Sequence, residues 1–344
     1  MNRKQFRPNS IALALIRAAL ILSFSFMPFS LLAQSGRNPE SARPSQDTKP
    51  RRTTAEDQDD KPIKLTADLV TAITSVTDAA GNQVNDLTAK DFEIYEDNVL
   101  QEIAGLHRED EMPLRLVFLF DTSSSIRHRF DFEKRAAAQF FRQVLRPSDQ
   151  ASLISVSNDP KIEVQFTSDV EKLVAGLDHL KAVGATSLYN SLIEAAKYVR
   201  PTEGRHVMVV LSDGTDTASA TTLAQAMTEV QKSDAVVFGV HSTGVAPSAN
   251  VQDLAGEFVL KAMSEDTGGR AFFPPIQEDL KKEARDLDEI YRRIAAEVRA
   301  QYVLTYYSKN EASANSFRSI RVEVKRPGLQ VRARRGYYTA KEKK

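Results

Sequence analysis

The residues best placed to do chemistry in this chain of 344 residues are oxygen donors in short, widely separated stretches. Asp121-Thr122-Ser123-Ser124-Ser125 follows directly on the apolar run 116–120. Gly184-Ala185-Thr186-Ser187-Leu188 stands just ahead of a helical pattern, and Leu211-Ser212-Asp213-Gly214 closes the apolar run 207–211. A continuous apolar run is the signature of a strand buried on both faces. The carboxyl ends of parallel strands are where α/β sheets place their ligands. Asp121, Ser123, Ser125, Thr186 and Asp213 thus offer carboxylates and hydroxyls at strand ends or loops. Small hard cations favour such donors. Mg²⁺ takes octahedral oxygen coordination, keeps some water and rarely fills every position from protein. The hydroxyls of Ser123, Ser125 and Thr186 suit direct contact, and the two aspartates suit direct or water-mediated contact. Neutral hydroxyls leave the ion a strong Lewis acid, with an open position that a partner's carboxylate can fill. Mg²⁺ is the expected ion; Mn²⁺ and Ca²⁺ are not separated from it by residue type.

Each stretch alone has a plainer reading. Ser-rich turns after strands cap helices, Thr186 suits a helix N-cap, and Asp213-Gly214 suits a turn. The occurrence of all the stretches in order is what points to one shared cation. Asp216 reads as a solvated loop residue. His107, His128, His179, His206 and His241 show no metal-ligand spacing and read as surface or packing residues. The absence of cysteine excludes disulfides, thiolate catalysis and Cys-based zinc sites. Forty-six basic side chains balance 46 acidic ones, which argues against a nucleic-acid footprint.

Alternating elements must position these donors. Phe132, Ala136, Phe140 and Val144 mark an amphipathic helix that ends by Pro147. Leu188, Leu192, Ala196 and Val199 mark a second. Helical patterns at 223–232 and 251–265 alternate with strands at 207–211, 236–240 and 271–273. Leu287, Ile290, Ile294 and Val298 stripe a long helix over 278–300, whose charged face reads as solvated i,i+4 pairs. This alternation predicts a mostly parallel central sheet with helices on both faces over 111–300. Strands without helices occupy 63–110 and 301–340. Neither flank is long enough for a comfortable core, so the two are expected to build one β-sandwich-like module, with the α/β domain inserted between them.

Asp121-x-Ser123-x-Ser125, Gly-Ala-Thr186-Ser-Leu-Tyr and Leu-Ser-Asp213-Gly resemble the metal-ion-dependent adhesion site of von Willebrand factor A (VWA) domains, and all the ligand positions match. Asp86-Leu-Thr-Ala-Lys-Asp-Phe-Glu, Glu96-Asp-Asn, Thr267-Gly-Gly-Arg, Gln301-Tyr-Val-Leu and Arg334-Arg-Gly-Tyr-Tyr resemble a bacterial subfamily found in acidobacterial genomes. The resemblance spans roughly 65–338. It implies a Rossmann-like VWA fold, an adhesive or scaffold role and no enzymatic activity.

The expected function is therefore metal-dependent binding of a protein or surface ligand that presents a carboxylate. A Mg²⁺-dependent phosphotransferase of haloacid-dehalogenase type is the competing enzyme reading. It would use Asp121 as nucleophile, but Ser123 stands where that chemistry needs a second acid. A structural subunit with a purely stabilising metal is a further alternative. Arg3, Lys4 and Arg7, the apolar stretch 18–32 and Ala33 read as a signal segment over 1–33, which implies a periplasmic, secreted or cell-surface protein. An uncleaved membrane anchor is the alternative. Residues 34–62, rich in Pro, Ser and charge, read as a disordered linker.

Overall fold

The computed structural model describes residues 69–108, 112–124, 129–242, 251–275, 279–310 and 316–339. The expected signal segment, the linker and Ser125 lie outside them. Among the described residues no helix is long and apolar enough to cross a membrane.

The chain opens with strands β1 (Leu69–Thr77), β2 (Phe92–Glu96), β3 (Val99–Gln101) and β4 (Ile103–Arg108). Asp97 and Asn98, both at positive φ, join β2 to β3 in the tight turn that suits the twist of a hairpin. The α/β part follows as β5 (Leu114–Asp121), α1 (Phe130–Val144), β6 (Gln150–Val156), β7 (Lys161–Thr167), α2 (Val170–His179) and α3 (Leu188–Val199). It continues with β8 (Arg205–Ser212), α4 (Leu223–Lys232), β9 (Val236–His241), α5 (Val251–Asp266), β10 (Arg270–Phe272) and α6 (Leu280–Val298). Strands β11 (Tyr302–Tyr307), β12 (Phe317–Val324), β13 (Gln330–Ala333) and β14 (Gly336–Tyr338) complete it.

The central sheet runs β10-β9-β8-β5-β6-β7. Its pairs are parallel except β6–β7, so only that edge is antiparallel. Period-two alternation decides its two cores. Leu116, Phe118 and Phe120 point into a cluster with residues of α1, α2 and α6, while Val117 and Leu119 point into one with α3, α4 and α5. Both faces being covered explains the unbroken apolar runs. Each fully buried Val, Leu or Phe contributes about 1.5–3 kcal/mol of transfer free energy.

The flanks interleave. One sheet runs β13-β1-β11-β4 and the other β14-β12-β2-β3, so each draws strands from both ends of the chain. Val70, Ala72 and Val76 face a core shared with Phe92, Ile94, Tyr302, Leu304, Tyr306 and Ile320. Ile73, on the opposite face of β1, packs into the core of the α/β part instead.

The charged face expected for the last helix is solvated at Glu289, which pairs with the exposed Arg292 and Arg293, but it needs correction at two positions. Glu283 and Glu297 are buried, because each meets an arginine from another element: Arg129 at the start of α1 and Arg332 of β13.

Candidate functional site

Asp121 ends β5, and its carboxylate is fully buried. Its Oδ1 accepts the Ser123 amide at 2.8 Å, and its Oδ2 accepts the Ser212 hydroxyl at 2.7 Å. Ser212 is the last residue of β8, so this bond ties the carboxyl ends of neighbouring strands. Burial pushes the Asp121 carboxyl up to about 6, and nearby Asp213 adds to the rise against the opposing donors of Ser123 and Ser212.

The turn after Asp121 is stitched to the Thr186 loop. The Thr122 carbonyl accepts the Val183 amide at 2.6 Å, and the Gly184 carbonyl accepts the Ser124 amide at 3.4 Å. Gly184 has φ +95, and a Cβ there would lie 2.7 Å from Asn158 Oδ1. That oxygen accepts the Ala185 amide at 2.7 Å. Thr186 is buried; its amide donates to Thr217 Oγ1 at 3.0 Å, and its carbonyl accepts the amides of Thr217 at 2.9 Å and Ala218 at 3.1 Å. The Thr186 loop is thus held on one side by the Asp121 turn and on the other by the stretch that follows Asp213.

Asp213 is half-buried, and its Oδ1 accepts the amide of Thr215 at 2.9 Å and its hydroxyl at 2.6 Å. Gly214 (φ +78) allows the backbone to turn against α5. A Cβ on Gly214 would lie 2.2 Å from the Gly256 carbonyl oxygen, and a Cβ on Gly256 would lie 2.2 Å from that of Asp213. Asp216 departs from its expected role as a solvated residue. It is half-buried and accepts the Tyr189 amide at 3.1 Å and the Ser219 hydroxyl at 2.6 Å, which satisfies the first turn of α3. Asp121, Ser123, Thr186 and Asp213 therefore sit on segments bonded to one another at the carboxyl end of the sheet; Ser125 is outside the described residues.

Several neighbours of the candidate site escape a sequence reading. Arg129 pairs with Glu283 and lies 3.9 Å from Glu133. Glu133 is fully buried, and neither of its oxygens accepts a hydrogen bond. Burial raises its carboxyl well above the usual range, opposed by Arg129 and reinforced by Asp121 and Glu283. His241 stands opposite Ser212 in the strand register, buried, with neither ring nitrogen hydrogen-bonded. Burial lowers its pKa, with Asp213 and Asp253 opposing, which favours neutral imidazole at physiological pH. The only available sequence signal was Ser212 inside the Leu-Ser-Asp-Gly stretch. Apart from the i,i+4 approach of Arg129 to Glu133, the other contacts join distant elements.

Among the described residues no group of three or more His, Asp or Glu side chains is disposed to hold a metal ion. The candidate set differs in kind: its carboxylates are Asp121 and Asp213, and hydroxyls make up the rest. That donor chemistry fits a hard oxygen-seeking cation, and it places two mutually repelling carboxylates where such an ion would offset them.

Residues 116–216 match the family model of the von Willebrand factor type A domain. No curated protein gives a match. Similar solved structures include a von Willebrand factor type A protein from Catenulispora acidiphila, with 12% identity, a TM-score of 0.44 and coverage of 80% of this chain and 74% of that one. The vWF domain of the type V pili tip protein Mfa5 from Porphyromonas gingivalis has 12% identity and a TM-score of 0.43, covering 59% of this chain and 98% of that one. The PilB minor pilin from Streptococcus sanguinis has 12% identity and a TM-score of 0.41, covering 57% of this chain and 63% of that one. The present chain thus spans less than two thirds of the length of that pilin.

Proposed function

We propose that this chain uses its von Willebrand factor type A domain as a binding module that grips an acidic group of a partner through one divalent cation. Asp121, Ser123, Ser125, Thr186 and Asp213 are the proposed ligands, and Mg²⁺ is the ion their size and hardness favour. The observation that carries this reading is the stitching of the donor segments: Ser212 to Asp121, Thr122 to Val183, and Thr186 to Thr217. The first orients a candidate carboxylate and the others hold the backbone of the segments that carry the remaining donors, which is what a geometry-dependent ion requires.

The cation, when bound, supplies a Lewis-acid contact for a carboxylate on a protein or surface ligand. The chain's own residues do the positioning. Ser212 and the Ser123 amide orient the Asp121 carboxylate. Thr215 orients Asp213. Ser123 offers a hydroxyl, with no proton-transfer capacity near neutral pH, where a hydrolase of haloacid-dehalogenase type would need an acid. This supports capture over turnover. Export to the periplasm or cell surface, and placement in the acidobacterial subfamily, are part of the same reading and rest on the N-terminal segment and the flanking motifs.

Affinity capture from cell envelopes tests it, comparing wild type with Asp121→Ala, each with Mg²⁺ and with chelator. Partners held only by wild type in Mg²⁺ are expected. Capture that survives both chelator and the substitution overturns metal-dependent binding, and thermal stabilisation by Mg²⁺ without any dependent partner would assign the ion a structural role instead.

A further inference from the structure

Glu133, in the first turn of α1, is fully buried, and neither of its oxygens accepts a hydrogen bond. Its Oε1 lies 3.9 Å from Arg129 Nε, beyond hydrogen-bond range. The Arg129 guanidinium closes instead on Glu283 of α6, which is also buried. Two buried carboxylates thus face the same guanidinium, and Glu283 is the one it meets closely.

The other charged and titratable groups that act on Glu133 belong to the elements packed around it. Asp121, at the end of β5, is a like charge, as is Glu283 of α6. Tyr291 of α6 is buried with its hydroxyl unbonded, and burial and the charge of Glu133 both oppose its ionisation. An ionised Glu133 would therefore be a buried charge with no hydrogen-bond donor, beside two like charges. A group so placed keeps its proton. Asp121 is also a proposed ligand of the cation. A divalent ion shared by Asp121 and Asp213 offsets their charge and attracts a further carboxylate, which favours the ionised form of Glu133. Arg129, one turn away at the start of α1, is then the nearest base to balance it.

We infer that Glu133 is a proton site coupled to the cation: it holds a proton in the metal-free protein and releases it to solvent when a divalent ion binds. This rests on the proposed cation site and adds to it a residue outside the ligand set. The coupling is reciprocal, so cation affinity rises with pH over the range in which Glu133 gives up its proton.

The experiment measures the Mn²⁺ affinity of the full chain between about pH 6 and about pH 8.5, in wild type and Glu133→Gln. Glutamine keeps the shape of the neutral acid and has no proton to release. The ratio of wild-type to variant affinity is expected to rise with pH, by up to about tenfold per pH unit for one linked proton. Asp121 titrates in both proteins, so the ratio isolates Glu133. Glu171→Gln, which removes an exposed acid on α2, should give a ratio that stays flat. A second measurement needs no variant. In weakly buffered solution at about pH 8, where Asp121, titrating at about 6, is already ionised, wild type should release protons to an indicator dye as Mn²⁺ is added. A flat ratio for Glu133→Gln overturns the coupling and leaves the cation site standing; if that variant does not fold, absence of proton release does the same. Absence of stoichiometric Mn²⁺ binding overturns both.

Discussion

Asp121 is a carboxylate placed where, without a cation, it costs stability. The rise of its pKa from 3.8 to about 6 means that the ionised form is disfavoured in the folded protein, by about 3 kcal/mol at pH above 6. That cost is relieved as pH falls from 6 towards 3.8, where the folded state holds its proton more tightly than the unfolded chain. Asp121→Asn, in chelator at pH 8, is therefore expected to raise unfolding stability by up to about 3 kcal/mol in urea denaturation. It should also abolish any stabilisation by Mg²⁺. A metal-free variant less stable than wild type would mean that the hydrogen bonds from Ser123 and Ser212 outweigh the buried charge. The candidate donors stand out in the sequence because each lies in a compact motif beside a strand-like run. Ser212's bond to Asp121 crosses 91 positions, and Arg129 reaches Glu283 across most of the α/β part; neither leaves a local spacing pattern.

Among the elements, the contact of α5 with the Asp213 turn depends on paired glycines. Gly214→Ala places a methyl 2.2 Å from the Gly256 carbonyl oxygen at a positive φ. Strain and overpacking together should destabilise the protein by about 3 kcal/mol or more, measured by chemical denaturation. At the opposite end of the sheet, Asp149 joins the start of β5 to the end of α6. It accepts the Leu114 and Arg146 amides, each at 2.8 Å, and pairs with Arg299. Burial works to raise its pKa, but these donors prevail and hold it below 3.8. Its contribution is thus full above the unfolded value and is lost as pH falls through the lower folded one. Asp149→Asn should lower stability by about 1–3 kcal/mol at neutral pH and flatten acid unfolding below pH 3.8, as followed by circular dichroism. Most helices were legible from stripes at three and four. Helix α2 was not, because only Leu173 and Leu177 are buried in it and its clearest mark is the Asp169 cap. The face of α6 departs from expectation at Glu283 and Glu297 because the arginines they meet come from other elements.

Across the whole molecule, the β strands of both flanks are welded to the α/β part. Ile73 of β1 enters the core beneath α1 and α6, and Arg332 and Arg335 pair with Glu297 and Asp266. One cooperative unfolding transition is expected. Glu96 provides the test: its buried carboxylate accepts hydrogen bonds from Tyr306 and Tyr337 of the flanking sheets and from Ser308 and Asn310, which follow β11. Glu96→Ala strands those donors and should cost about 3 kcal/mol or more. Among the described residues the α-helices lie only between β5 and β11, so the helical far-UV signal reports the other part of the molecule. Its midpoint should fall with the substitution; an unchanged midpoint would show that the parts unfold separately. The alternation of strands and helices announced the central sheet, and short flanks announced a shared module. The pairing order within that module follows from contacts between chain ends that carry no periodic mark. The most direct measurement of the proposed cation site is Mn²⁺ titration of the full chain, with bound ion read by electron paramagnetic resonance. One ion per chain is expected, lost in Asp121→Ala and Asp213→Ala and weakened in Thr186→Ala. Absence of stoichiometric binding, or binding indifferent to Thr186 and Asp213, would contradict a shared site.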